Sequence, residues 1–301
     1  MHFSRKLDMT LRNTILKLLL NVLSSLPFWV LYLFSDFLAF FMSRIVNYRK
    51  ETVYKNIRNS FPEKDSAEIN KIVAQFYRNL ADLIVELIKS QKLSEEELIK
   101  RVKINDTSIF EKLYKEKRSV IISLGHCGNW EWTGNRIAMF LEHNATAIYK
   151  PLSDKFFNNY MINQRQKFKG TLMIDYKKTY RILADLRDEL LAVFMLADQS
   201  PARTEINYWT NFLNQKTPFY IGMEKIARAL NYTVIYLDIQ RQKRGFYVVD
   251  VKMIAEHAKA TRQFEITNKY IHLLEKSILT NPDNWLWSHR RWKYNEEEPG
   301  Y

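Results

Sequence analysis

The chain has 301 residues, of which 47% are hydrophobic and 26% are charged, and these proportions exclude a disordered or collagen-like protein. The mean hydropathy of −0.35 excludes a polytopic membrane protein, and the single cysteine, Cys127, excludes an intramolecular disulfide and a Cys-rich zinc site. The net charge of +13 calls for a polyanionic partner, which leaves nucleic acid, an anionic membrane and an acidic protein open.

Residues 1–46 form the most apolar part of the chain, and basic residues flank the run from Leu26 to Met42 on both sides. A spanning helix needs about 20 apolar residues, and this run is slightly short. It also contains Asp36, a carboxylate that would cost about 2.5–3.5 kcal/mol at mid-bilayer. Crowded aromatic residues and basic flanks predict a membrane-associated helix, with a buried core helix as the alternative. Whether the segment spans the bilayer or lies in its interface stays open.

The remainder, residues 47–301, is predicted to be one α/β domain. It begins with a helical lead-in over 47–117, in which Asp65 and Ser94 are the predicted N-caps of two helices. From Arg118 onward, short β-branched runs alternate with helical stretches. Strands are predicted at 119–124, 145–149, 171–174, 190–196, 233–239 and 246–252, and helices at 129–142, 153–168, 177–188, 217–230 and 261–280. This alternation predicts a largely parallel central sheet flanked by helices.

The segment from Ser123 to Asn135, SLGHCGNWEWTGN, carries the clearest chemical signal. It follows an apolar strand and opens a helix, and sites in open α/β sheets form at the carboxyl ends of strands. On one continuous helix, His126 and Glu131 would point about 140° apart. They meet only if His126 lies in the loop, bent at Gly125 and Gly128, and Glu131 lies in the first helical turn. The sequence therefore predicts an imidazole oriented by the Glu131 carboxylate and able to take a proton from an alcohol or amine.

Three other readings of this segment stay open. A histidine near a glutamate can form a purely structural hydrogen bond. A metal site is disfavoured because the two residues lack ligand spacing on a helix face and no third ligand is nearby. Cys127 could be a nucleophile, but adjacent residues seldom aim their side chains at each other, so it is expected to be a small buried residue.

The spacing His126-x-x-x-x-Glu131 resembles the HxxxxD/E motif of the glycerolipid acyltransferase superfamily. Four further segments, in the same order along the chain, resemble the lipid A biosynthesis secondary acyltransferases, the lauroyl and myristoyl transferases. These segments are YKPL at 149–152, Arg165, ADQ at 197–199 and WLWSHRRWK at 285–293. The resemblance covers most of the chain, including the apolar N-terminal segment.

The resemblance implies transfer of a fatty acyl chain from an acyl carrier protein thioester to a hydroxyl of a lipid A precursor. His126 is then the general base and Glu131 its partner, with no covalent enzyme intermediate, cofactor or metal. The backbone amides of Gly128 and Asn129, at a helix N-terminus, are the expected donors to the thioester oxyanion.

Three further residues are predicted to bind substrate. Lys150 follows a strand and offers a point charge to a phosphate, where the family more often has arginine. Arg165 continues an apolar helix stripe and needs either an anionic partner, such as a substrate phosphate, or a solvent-exposed edge. Asp198 lies just past a strand end, where it could order the site, hydrogen-bond a substrate hydroxyl or cap a loop.

Two other functions are kept beside this one. The first is acyl transfer to another membrane lipid, such as an aminolipid, glycolipid or phospholipid. The second is a non-catalytic, basic membrane-surface protein. The expected partners are the acidic acyl carrier protein, the acceptor lipid and the membrane. Nucleic acid is not expected, because the tryptophans at 285–293 are explained by packing and interface contact. Since the thioester donor is cytosolic, the protein is placed at the inner membrane with its catalytic domain on the cytoplasmic face.

Overall fold

The computed structural model describes residues 2–294 of the chain, with side chains from residue 10 onward. The tail from residue 295, which the polar sequence predicts to be loose, lies outside the described residues. The helices are α1 (His2–Ser25), α2 (Phe28–Phe40), α3 (Lys50–Ser60), α4 (Ser66–Lys89), α5 (Glu95–Arg101), α6 (Ser108–Lys115), α7 (Trp130–Phe140), α8 (Lys155–Arg165), α9 (Thr179–Asp185), α10 (Gly222–Leu230) and α11 (Glu265–Thr280). The strands are β1 (Val102–Ile104), β2 (Val120–Leu124), β3 (Asn144–Tyr149), β4 (Leu172–Asp175), β5 (Leu191–Leu196), β6 (Trp209–Phe212), β7 (Gln215–Pro218), β8 (Thr233–Lys243) and β9 (Phe246–Ala255).

Within residues 2–294, seven strands form a central sheet in the order β1-β9-β8-β2-β5-β3-β4. Only the β8–β9 hairpin pairs antiparallel, and the other neighbours in this sheet are parallel. The sheet is mostly parallel and flanked by helices, so the predicted α/β class is confirmed. All six predicted strands are present, with ends shifted by a few residues.

The core lies on both faces of the sheet because the central strands are buried on both sides. In β2, Ile121 packs with one apolar cluster while Val120 and Ile122 pack with the other. Helix α11 covers the first face through Leu274, and α7 covers the second through Trp132. Strands buried on both faces read as continuous apolar runs, which is why the sequence reveals them.

Three strands were not predicted from the sequence. Strand β1 lies inside the lead-in that was expected to be helical throughout, and it pairs with β9 at the edge of the sheet. Strands β6 and β7 form a separate hairpin that takes up the first residues of the predicted 217–230 helix. Its turn places Leu213 and Asn214 at φ values of 50° and 60°, so the chain reverses without a glycine. These strands are too short to show the alternation on which a sequence prediction relies.

Helix α4 connects the N-terminal helices to the sheet domain. Asp65 is the N-cap of α4, as predicted, and forms a capping box with Glu68. Ser94 is the predicted N-cap of α5, and its side chain accepts from the amide of Glu97. At the other end of α4, Lys89 donates to the carbonyl oxygens of Ser24 and Leu26 at 3.0 and 2.7 Å, which ties down the end of α1.

Helix α2 and the π-helical turn that follows it form an 18-residue segment, Phe28–Ile45, long and apolar enough to cross a membrane. Only 22% of this segment is buried, and Trp29, Leu33 and Phe37 are each more than 60% exposed. The carboxylate of Asp36 does not stand alone, because the guanidinium of Arg244 donates to it at 2.6 and 3.0 Å. This ion pair lowers the free-energy cost of placing the Asp36 carboxylate in a membrane.

Candidate active site

The loop between β2 and α7 carries the predicted base. His126 lies two residues past the end of β2, and Gly128 adopts a φ of 55° that turns the chain into the helix. A Cβ at position 128 would lie 3.0 Å from Ile239, a tight contact that adds to the preference of this φ for glycine. Asn129 is the N-cap of α7, and its side-chain oxygen accepts from the amide of Trp132 at 2.9 Å. The predicted bend, with His126 in the loop and Glu131 in the first turn, is therefore present.

The partner of His126 is Asp198. The Nδ1 atom of His126 lies 2.7 Å from Oδ1 of Asp198, and the backbone amide of His126 donates to Oδ2 at 2.9 Å. Register explains the meeting, since Leu124 at the end of β2 pairs with Leu196 at the end of β5. The residue two positions beyond each is His126 on one strand and Asp198 on the other.

Glu131 makes a different contact from the predicted one. Its carboxylate accepts from Nε and Nη2 of Arg165 at 2.8 and 2.6 Å, a bidentate ion pair between the start of α7 and the end of α8. Among the described residues, no hydrogen bond joins Glu131 to His126, so the predicted pairing of these two side chains is wrong. The anionic partner that Arg165 needs is supplied by the protein itself. Glu131, in the first turn of α7, reaches Arg165 at the end of α8, whereas Asp198, just past the end of β5, reaches the imidazole of His126.

Asp198 is held as an anion. Burial alone would raise its pKa, but the charge of His126 and hydrogen bonds from His126 and Trp285 outweigh burial and lower the pKa to about 2. Trp285 contributes its indole N–H to Oδ2 at 2.7 Å. An ionised Asp198 accepts the Nδ1 proton of the ring, which leaves Nε2 as the basic nitrogen. Of the roles foreseen for Asp198, the structure supports the ordering of the site.

Within the described part of the chain, the Nε2 atom of His126 has one hydrogen-bonding neighbour. The side-chain amide nitrogen of Gln199 lies 3.3 Å from Nε2, on the residue immediately after Asp198. The indole of Trp130 packs edge-on against the imidazole with ring centroids 4.9 Å apart. The sequence prediction did not place Gln199, Trp130 or Trp285 in the site. Its place next to Asp198 in the sequence could have indicated Gln199 as a site residue, whereas the contact of Trp285 with Asp198 depends on the three-dimensional fold.

A cavity of about 800 Å³ opens in front of the imidazole, and we call it the catalytic cavity. His126, Glu131, Lys150 and Arg165 all line it, so the structure brings four predicted site residues together. Asp198 lies behind the ring, buried to 1% exposure. The remaining walls are largely apolar, and they include Leu124, Ile148, Met161, Ile162 and Phe194.

The predicted oxyanion donors do not face this cavity. The amide of Gly128 donates to the carbonyl oxygen of Asn284 at 3.0 Å, so it is already occupied. Asn129 is completely buried, and its side-chain amide donates to Glu86 at 2.8 Å. The geometry therefore does not support Gly128 as an oxyanion donor, because its amide is paired with the C-terminal segment, and Asn129 does not line the cavity.

Cys127 is the small buried residue that the sequence predicts. Its backbone forms an isolated antiparallel β-bridge with Trp285, and the residue is 4% exposed. Burial raises the pKa of the thiol well above its usual value, so the thiolate needed for nucleophilic attack is disfavoured. Within residues 2–294, no group of three or more histidine, cysteine or acidic side chains is placed to hold a metal ion.

The tryptophan-rich segment near the C-terminus is structural support for the site. Trp285 and Trp287 are 3% and 0% exposed, and Arg291 is fully buried with a hydrogen bond of 2.7 Å to the carbonyl of Pro218. These side chains form the wall behind Asp198, which fits the packing interpretation and leaves them inaccessible for stacking on nucleic acid bases.

Comparison with protein families identifies the chain. The model of the bacterial lipid A biosynthesis acyltransferase family matches residues 1–294. The chain belongs to this family. No curated protein matches the sequence.

Membership in the lipid A biosynthesis acyltransferase family makes the chain an acyltransferase that acts on a lipid A-type substrate. Together with the exposed apolar segment Phe28–Ile45, it indicates association with a membrane. Essentially the whole chain is matched, so the family model covers both the apolar N-terminal helices and the sheet with its cavity.

Proposed function

We propose that this acyltransferase moves a fatty acyl chain from an acyl carrier protein thioester to a hydroxyl of a lipid A precursor, with His126 as general base. The observation that carries the proposal is the His126–Asp198 pair at the wall of a largely apolar cavity. An apolar cavity suits a fatty acyl chain, and an imidazole held in one tautomer suits proton transfer.

The proposed step follows from the free nitrogen of His126. The acceptor hydroxyl takes the place of the Gln199 amide beside Nε2 and gives its proton to that nitrogen. Its oxygen forms a bond to the thioester carbonyl carbon, and the carbon–sulfur bond breaks as the tetrahedral intermediate collapses. The departing thiolate takes the proton back from the imidazolium. The Asp198 carboxylate stabilises the imidazolium while it exists.

Positive charge in the catalytic cavity serves the anionic groups of the reaction. Glu131 fixes Arg165 through two hydrogen bonds, and a guanidinium has five N–H donors, so others are left for a phosphate or a thioester oxygen. Lys150 is exposed at the same cavity and adds a mobile ammonium. In this proposal Glu131 is a positioning residue for Arg165.

The charge of the whole chain supports the proposed donor, and the proposed location rests on that donor. A net charge of +13 complements both an acidic acyl carrier protein and an anionic membrane surface. Because that donor is cytosolic, we place the catalytic cavity on the cytoplasmic face of the inner membrane.

Acyl transfer by purified enzyme tests these roles. We expect His126→Ala and Asp198→Asn each to lower kcat by about 10²–10⁴-fold, because the first removes the base and the second removes the charge that orients it. Glu131→Gln should raise KM for the acceptor more than it lowers kcat. Thermal unfolding of each variant is the control for folding. Activity of His126→Ala within a few-fold of wild type would remove His126 from the proposed role.

A further inference from the structure

A second cavity of about 820 Å³ lies apart from the catalytic cavity, where the end of the Phe28–Ile45 segment meets α4 and the turn between β8 and β9. Five basic side chains line it, and we call it the basic cavity: Arg44, Arg78, Arg241, Lys243 and Arg244. Its lining also contains the carboxylates of Asp36, Asp82 and Asp283. The proposed acyl-transfer step uses none of these residues.

The carboxylates neutralise only part of this positive charge. Arg241 pairs with Asp82 at 2.5 Å, and Arg244 pairs with both Asp82 and Asp36 at 2.6 Å. The carboxylate of Asp283 accepts instead from the amide of Asn79 at 2.7 Å. The lining therefore carries more basic than acidic side chains, Asp82 is shared by two arginines, and Asp36 is already paired with Arg244.

Arg44 and Arg78 are the basic residues left over. Both are exposed, and among residues 10–294 neither makes an ion pair or a hydrogen bond through its side chain. Lys243 packs its ammonium over the ring of Phe246, 4.6 Å from the centroid, and also has no carboxylate partner in the described part of the chain. A site with unpartnered guanidinium groups is suited to a phosphate, which accepts two hydrogen bonds from each arginine.

The position of the basic cavity points to a lipid as the source of that phosphate. Arg44 lies in the last turn of the apolar segment, beside Phe40 and Phe41, which are 56% and 38% exposed. A lipid whose acyl chains lie against these phenylalanines has its headgroup level with Arg44 and Arg78. Basic pockets at the end of membrane-associated helices bind anionic headgroups in this manner.

A small cavity of about 20 Å³ has lining residues in common with both the basic cavity and the catalytic cavity. Its lining shares Arg241, Asp283 and Asn284 with the basic cavity, and His126 and Trp130 with the catalytic cavity. The basic cavity and the catalytic cavity are therefore close neighbours in the fold. This proximity is expected for an acceptor and is not needed for a phospholipid that only anchors the protein.

We propose that the basic cavity binds the phosphate of a membrane lipid through Arg44 and Arg78, and that this lipid is the acceptor of the acyl chain. The assignment as acceptor site rests on the proposed function, whereas phosphate binding does not. Bulk anionic phospholipid offers the same phosphate chemistry, so the test has to separate these two sources.

The test compares Arg44→Gln/Arg78→Gln with two matched double variants of the full chain. Arg44→Lys/Arg78→Lys keeps the charge, and Arg187→Gln/Lys276→Gln removes two exposed charges elsewhere. Equilibrium binding is measured in detergent micelles with three probes: a phosphorylated lipid A precursor, its dephosphorylated form and phosphatidylglycerol. Acyl-transfer kinetics with varied acceptor are measured on the same preparations, and thermal unfolding confirms that each variant is folded.

For Arg44→Gln/Arg78→Gln, we expect Kd and KM for the phosphorylated precursor to rise about thirtyfold, with kcat at saturating acceptor within about twofold of wild type. The lysine variant should keep most of the affinity, the distal variant should match wild type, and the dephosphorylated precursor should bind wild type as weakly as it binds the glutamine variant. A raised Kd for phosphatidylglycerol with an unchanged KM for the acceptor would overturn the acceptor assignment and identify a phospholipid site. Unchanged Kd values for both phosphorylated lipids would overturn phosphate binding altogether.

His126→Ala separates this proposal from the proposed function. It removes the base and leaves the basic cavity intact, so the Kd of the phosphorylated precursor should stay at the wild-type value while acyl transfer is lost. Should His126→Ala keep its activity, the acyl-transfer mechanism fails and the binding measurements still test the basic cavity.

Discussion

At the scale of single residues, the site depends on two carboxylates with separate partners. Asp198 reaches the imidazole because β2 and β5 end in register, and Glu131 reaches Arg165 because α7 and α8 meet at their ends. Local spacing favoured Glu131 as the partner of His126, since it lies five residues away. The partner in the structure, Asp198, lies 72 residues further along the chain, and no local pattern in a single sequence predicts a contact over that separation.

His126, Arg165 and Lys150 could nevertheless be placed at one site from the sequence. His126 and Lys150 each follow a predicted strand, and Arg165 lies on the helix predicted after Lys150. Parallel strands bring their carboxyl ends to one edge of the sheet. Side-chain pairing within that edge was beyond reach, because it depends on register and on helix packing. The same holds for Trp285, which reaches Asp198 from the C-terminal segment.

His289 should make folding stability depend on pH. Burial lowers its pKa to about 4, and its Nε2 accepts from the amide of Ser200 at 3.1 Å, which requires the neutral ring. Between about pH 4 and 6.5 the unfolded chain binds a proton that the folded chain does not, so stability rises with pH through this range. The contribution of this partly exposed ring is at most about 1 kcal/mol per pH unit.

Urea unfolding at pH 4.5, 5.5 and 6.5 checks this expectation. His289→Gln should unfold with a flatter pH dependence than wild type. Equal slopes for the two proteins would show that protonation of His289 is not coupled to folding.

At the scale of elements, a buried carboxylate connects the apolar helix with the catalytic loop. Glu86 in α4 accepts from Tyr32 of α2 at 3.1 Å, from Tyr247 of β9 at 2.7 Å and from Asn129, the N-cap of α7, at 2.8 Å. Burial raises the pKa of Glu86, although the hydrogen bonds from Tyr247 and Asn129 oppose the shift. Three secondary-structure elements therefore meet at one fully buried side chain.

Glu86→Ala should lower the free energy of unfolding by about 2–4 kcal/mol, because it leaves two buried donors and one half-buried donor without an acceptor. Glu86→Gln keeps one acceptor oxygen and should cost less. Glu111→Ala, at an exposed position, is the control and should stay within about 0.5 kcal/mol of wild type. A Glu86→Ala protein as stable as this control would contradict a structural role for the network.

The elements themselves were largely predictable. Strands such as β2 and β5 are buried on both faces and show continuous apolar runs, and the capped start of α4 at Asp65 follows from its capping box. Strands β1, β6 and β7 are three or four residues long and take their conformation from a neighbouring strand. Pairing of this kind is a tertiary effect that overrides local propensity.

At the scale of the whole molecule, positive charge is spread over the membrane-proximal part and the sheet domain. Residues 1–60 contain nine basic and three acidic side chains, which is nearly half of the net charge of +13. The basic cavity lies at the boundary of this region. A protein charged in this manner meets anionic partners faster than a neutral one, and salt weakens the effect.

Ionic strength should therefore change the rate of acyl transfer when the acyl carrier protein is below saturation. We expect kcat/KM for the donor to fall several-fold, roughly three- to tenfold, between 50 and 300 mM salt, while kcat changes little. A neutral thioester donor, such as a short acyl pantetheine, is the control and should show no such fall. Equal salt dependence for both donors would argue against electrostatic attraction of the carrier protein.

In the proposed mechanism His126 is essential for acyl transfer to a lipid A precursor, and mass spectrometry of lipid A tests this role most directly. The measurement compares wild-type cells with a strain whose only copy of this protein carries His126→Ala, with equal protein levels verified in membranes. We predict lipid A that lacks one acyl chain in the variant strain. Fully acylated lipid A in that strain would contradict this role, and a missing acylated aminolipid or phospholipid in its place would show that the acceptor is a different lipid.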